Sequence, residues 1–177
     1  MDYRFPAPAR AELAQALATT DSLREAADTV FWANPATDDL RGAGDQVFAD
    51  LPPAFAHLLA LTTLRAEVLD GGFGRYLRRH PRELPWATRG LRAAGMPELA
   101  AAAVIAGYEV LGDDGADLDG FFDDERAVLS APDQIRRPSG SRCDDTDELY
   151  DVNEPEDFEE RVLDYVRANL DHFVRHG

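Results

Sequence analysis

The chain reads as all-α, an irregular helical bundle in a single domain spanning residues 1–177. Three observations carry that reading. Apolar residues recur at three- and four-residue spacing along most of the chain, and no stretch of useful length alternates apolar with polar as a half-buried strand does. The breakers Asn34-Pro35, Gly71-Gly72, His80-Pro81, Gly95 and Gly112 stand at the ends of the periodic stretches and not inside them. A chain of 177 residues also hides about 70% of its unfolded surface, enough for a real core.

Each element follows from local chemistry. Residues 9–18 and 21–33 read as two helices, the second with Thr20 or Asp21 as N-cap and Asn34-Pro35 as its stop. Residues 36–50, with Gly42, Gly44 and several Asp, read as a connector. Leu51-Pro52-Pro53 opens a strong helix, since proline is tolerated in the first turn. Its expected buried stripe is Phe55, Leu58, Leu59, Thr62, Ala66 and Leu69, and Asp70-Gly71-Gly72 ends it. A short helix over 73–79 follows, then one from Leu84-Pro85-Trp86 to Gly95 and one over 97–111. The last is nearly all Ala, Val, Ile and Leu and is expected at the buried centre. Residues 112–120 read as an acidic loop, 121–130 as a helix and 131–147 as a polar loop. The final helix has Asn153 as its expected cap, Glu156 completing a capping box, and Pro155 in its first turn. Phe158, Val162, Tyr165, Val166, Asn169 and Phe173 are its expected inner stripe.

Charge is the most informative feature for function. Residues 109–171 hold 21 Asp and Glu against six Arg, a net of −15 out of −16 for the whole chain. Such a surface repels nucleic acid, anionic membrane and phosphorylated substrates, and attracts a basic protein surface. All 18 basic residues are Arg. Coding bias or salt adaptation explains that composition equally well, but either would spread the acids evenly. No basic segment followed by an apolar one opens the chain, no apolar run reaches 18 residues, and Cys143 stands alone. These features fit a cytoplasmic protein.

The segment from Leu61 to Leu77 resembles the bacterial DNA-mimic protein C-terminal domain family, most of whose members have no assigned function. The motif residues are Glu67-Val68, Asp70-Gly71-Gly72-Phe73 and Tyr76, followed by a helix closing Leu91-Arg92-Ala93-Ala94-Gly95. The aromatic final helix, Tyr165 to Phe173, is also similar, so the likeness runs over about residues 50–174. It implies an all-α fold and, for the studied type, a dimer whose acidic surface imitates DNA. The chain departs from the pattern at Asp70, where Asn is usual, and at Arg78-Arg79-His80, where an Asn commonly stands. Arg75, Arg78, Arg79 and Arg82 add a basic cluster, expected to pair with acids of this chain or of a second subunit.

Acidic helices can imitate DNA because carboxylates three or four residues apart lie about 5–6 Å apart at Cβ, comparable to successive phosphates. Glu156, Glu160 and Asp164, and the pair Asp157 and Glu160, have that spacing. Asp144, Asp145, Asp147, Glu148, Asp151 and Glu154 extend the array upstream, and the expected partner-binding residues are Asp144, Asp145, Asp147, Glu148, Asp151, Glu156, Asp157, Glu159, Glu160 and Asp164. Other constellations are weaker. In the acidic loop, setting Gly120 at the sixth EF-hand position puts Gly115 first and Arg126 twelfth, and setting Gly115 there puts Val110 first and Phe121 twelfth; neither binds calcium. His172 and His176 supply two metal ligands where zinc needs three or four. Gly71-Gly72-Phe73-Gly74 lacks the flanking strand and Lys of a phosphate loop. Asp144 and Asp145 disfavour a reactive Cys143 thiolate. No catalytic residue, metal or cofactor is expected. The resulting expectation is a non-enzymatic interaction protein, its acidic region engaging a basic partner such as a DNA-binding protein. A salt-adapted scaffold without a dedicated partner, and a small enzyme lacking a recognisable motif, are the alternatives.

Overall fold

Proline and glycine set the ends of the central helices. The computed structural model describes residues 10–32, 48, 51–111 and 146–173. These form α1 (Arg10–Ala18), α2 (Leu23–Trp32), α3 (Pro53–Gly71), α4 (Phe73–Arg79), α5 (Leu84–Ala93), α6 (Pro97–Leu111), α7 (Thr146–Asp151) and α8 (Phe158–Ala168). Pro81–Glu83 and Leu170–His172 are 3-10 turns, and no strand occurs among the described residues. The predicted all-α bundle is therefore the observed one. The expected connector over 36–50 (Phe48 excepted), the acidic loop 112–120, the helix 121–130 and the loop as far as 145 lie outside the described residues. So do Asn34-Pro35, Asp144, Asp145, Cys143 and His176.

In α3, Pro53 fills the first helical position, where the missing N–H is no loss. At the other end the Gly72 N–H donates to Val68 O, 2.9 Å, with Gly72 at φ +83°. The expected stripe on this helix is only partly right. Phe55 and Leu58 are buried, but so are Ala54, Ala56, Ala60, Leu61 and Leu64, while Ala66 is exposed and Leu69 is 69% exposed. Helices α2, α4, α5 and α8 all pack against α3. Apolar residues on every side of a helix leave the period unable to say which side is covered.

Helix α5 packs closely on α3 through Gly90, where a Cβ would lie 3.1 Å from His57 Cβ and 3.1 Å from Leu61 Cδ1. It stops at Gly95, φ +77°, with the Met96 N–H donating to Leu91 O at 2.8 Å, the bond that closes a left-handed glycine C-cap. Helix α6 is the buried centre, with Leu99 through Val104 and Ala106 all shielded.

The C-terminal part differs from expectation in two ways. Thr146–Asp151, read partly as loop, forms α7 and buries Tyr150. The capping box is absent: Asn153 is buried and donates to Leu149 O, 2.9 Å, finishing α7, and α8 starts only at Phe158 behind Asp157. At α2 the cap is Ser22, whose Oγ accepts the Glu25 N–H at 3.2 Å, and not Thr20 or Asp21. One core joins Leu13 and Leu17 of α1, Leu23 and Val30 of α2, the faces of α3 to α6, Tyr150, and Phe158, Val162, Leu163 and Val166 of α8. Phe173 closes it against Phe55, ring centroids 5.6 Å apart.

Candidate interaction surface

The glycine-rich motif works as a socket. Phe73 and Tyr76 are fully buried, and Phe73 stacks on Tyr150 of α7 at 4.8 Å. The Asp147 carboxylate accepts the Gly74 N–H at 2.7 Å, satisfying a donor left open at the start of α4. A Cβ on Gly72 would collide with that carboxylate. Glu67 gathers the basic cluster: Arg75 Nε lies 3.1 Å and Arg79 Nη1 3.2 Å from its oxygens, and His80 Nε2 lies 3.6 Å away. Arg75 also pairs with Asp70. Arg75 and Arg79 thus pair with acids of their own chain, as the cluster suggested. Burial pushes the phenols of Tyr76 and Tyr150 well up, with Glu83 adding at Tyr76 and Glu154 at Tyr150.

The acids of the C-terminal part divide into two sets by direction. Asp147, Glu154 and Glu159 turn inward. Glu154 pairs with Arg65, whose guanidinium also lies over the Phe158 ring, 5.0 Å from its centroid. Glu159 Oε2 accepts the Leu23 N–H, 3.1 Å, at the start of α2. Glu148, Asp151, Glu156, Asp157, Glu160 and Asp164 are exposed. Asp157, Glu160 and Asp164 stand on one face of α8 at spacings of three and four, whereas Glu156 lies in the turn ahead of it, outside the helical register expected for it. Arg161 bonds Asp157 at 2.7 Å and holds its carboxyl below the ordinary value, and Arg167 lies 3.0 Å from Asp164.

The inner face of α8 carries Val162, Leu163 and Val166, together with Tyr165, whose hydroxyl is hydrogen-bonded to His57 Nδ1 at 2.8 Å. Its basic residues finish neighbouring helices. Arg161 Nη1 donates to Gly95 O, 2.8 Å, at the end of α5, and Arg167 donates to Leu17 O and Thr20 O at the end of α1. Sequence reading missed Arg65, Arg161 and Arg167 because their main partners are 66 to 150 positions away along the chain. The local pairs Asp157 with Arg161, four residues apart, and Asp164 with Arg167, three apart, carried a signal. Asp21, exposed, lies between the two points where α8 grips the α1–α2 junction.

Among the described residues no three His, Cys, Asp or Glu side chains are placed to hold a metal ion. No described helix is long and apolar enough to cross a membrane. The model of the DMP19-like protein family matches residues 49–169, which covers α3 through α8 and contains both the socket and the exposed acids. No curated protein and no solved structure matches the chain. The motif that binds α4 to α7, set in an all-α fold and matched over more than half of its length, places the chain in the DMP19-like protein family.

Proposed function

We propose that this chain is a non-enzymatic interaction protein whose outward carboxylates on α7 and α8 engage a basic protein surface, that of a DNA-binding protein. The observation that carries the reading is the exposure of Asp157, Glu160 and Asp164 along one face of a helix whose opposite face is buried in the core. A mimic of DNA needs negative charges at fixed spacing on a support that does not yield. A helix packed on the core supplies that support, and carboxylates three or four residues apart supply a spacing of about 5–6 Å at Cβ. Membership in the DMP19-like family is compatible with this role. The net charge of −16 turns duplex DNA itself away, so the partner is the protein that reads DNA.

The test is capture from native lysate with elution by rising salt, comparing the native chain with a triple variant, Glu156→Gln, Glu160→Gln and Asp164→Asn. Glu159 is left in place because it accepts the Leu23 N–H at the start of α2. A DNA-binding protein held only by the native chain and released by salt is the expected result. Equal capture by both forms would return these acids to the status of a solvated face.

A further inference from the structure

Residues 10–32 lie outside the segment that the family matches, yet α1 and α2 both pack against α8. Two sets of hydrogen bonds to main-chain groups join them. Near the start of α8, Glu159 accepts the Leu23 N–H at 3.1 Å, a donor that has no intrahelical partner at the beginning of α2. Near its end, Arg167 Nε and Nη2 donate to Leu17 O at 3.3 and 3.2 Å, and Nη2 also donates to Thr20 O at 2.9 Å. Leu17 O is open at the end of α1 for the same reason, and Thr20 O lies in the segment that follows the helix. The anchors stand eight residues apart, about 12 Å along the helix axis. Two such points fix the rotation of α8 as well as its position. Because rotation sets where each Cβ points, it also sets where Glu160 and Asp164 are presented.

We infer that the α1–α2 pair is a splint for α8, with Glu159 and Arg167 as positioning residues that hold its exposed acids in one orientation toward a basic protein face. The splint stands on the hydrogen bonds alone; its role in recognition rests on the acidic-face reading above. Arg167 makes the proposal sharp. Removing it makes the chain more negative, which by charge alone strengthens attraction to a basic partner. Loss of preorganisation weakens it.

The experiment uses full-length Arg167→Gln, Glu159→Ala and Glu159→Gln with two measurements. The first is amide hydrogen exchange. Arg167→Gln and Glu159→Ala are expected to speed exchange in α1, α2 and α8, at Leu23 above all, while α3 to α6 stay protected and report an intact fold. Glu159→Gln keeps an acceptor oxygen for the Leu23 N–H and returns the native pattern. The second is binding, at low salt, of an alanine-based helical peptide with arginine at positions i, i+3 and i+7, matched to Asp157, Glu160 and Asp164. Arg167→Gln is expected to bind it about fivefold more weakly than the native chain. Native exchange rates in both Arg167→Gln and Glu159→Ala would overturn the splint, and tighter peptide binding by Arg167→Gln would overturn its positioning role. A native chain that ignores the peptide would overturn the acidic-face reading and the positioning role with it. The exchange data, which need no peptide, tell that failure from failure of the splint.

Discussion

A side chain at position 72 would have to occupy the space of the Asp147 carboxylate on a backbone at φ +83°, which L residues rarely adopt. Gly72→Ala is therefore expected to lower the free energy of unfolding by about 1–3 kcal/mol in a urea titration. An unchanged midpoint would mean that Asp147 does not sit in the socket. His57 makes a different single-residue argument. Burial, with the nearby charge of Arg89 adding, lowers it from an ordinary 6.5 to about 4. In the folded chain it takes up its proton only near pH 4, whereas the unfolded chain does so near 6.5. Between those values the unfolded state binds more protons, so stability falls as pH falls through that window, and this component is fully lost below about pH 4. Solvent reaches part of the ring, which reduces the loss to about 1–2 kcal/mol. Protonated His57 would also stand against the charge of Arg89. In His57→Gln, the drop in unfolding free energy between pH 6.5 and 4 is expected to be smaller by that amount, the carboxylates contributing alike in both proteins. An equal drop in the two would contradict the assignment.

At the scale of the element, what the sequence made legible follows from how local each signal is. The starts at Pro53, Leu84 and Pro97 and the stops at Gly72 and Gly95 were readable because proline and glycine act through their own φ angles. The buried stripe of α3 was not, because the tertiary arrangement leaves Leu69 exposed while its neighbour Val68 packs on the core. The capping box at Asn153 failed for a related reason. Its amide found Leu149 O one turn back, so the residue closes α7 and the next helix opens four positions later than expected, taking Glu156 out of register. Among the candidate acids, sequence spacing identified the exposed row but could not separate it from Asp147 and Glu159, whose partners lie more than 70 positions away. That separation has a measurable consequence. The triple variant at Glu156, Glu160 and Asp164 is expected to keep its unfolding free energy within about 0.5 kcal/mol of native, as substitutions at exposed sites usually do. A larger loss would place one of these acids among the structural set.

For the whole molecule, charge and fold are arranged on different principles. The core is continuous from α1 to Phe173, and the inward acids each complete a helix end or an ion pair inside it. Of the outward acids, Asp157 pairs with Arg161 and Asp164 with Arg167 on the exposed side of α8. Exposed pairs of that kind contribute little to stability. That the exposed acidic row on α8 serves a basic partner is the central claim for function. Its most direct test is displacement. The DNA-binding protein captured from lysate is loaded on a labelled duplex and titrated with the native chain and with the triple variant, at low and at physiological salt. The native chain is expected to strip the duplex from its binder, less effectively as salt rises, and the variant to leave it in place. A duplex that stays bound under the native chain, or is stripped equally by both, would contradict the account.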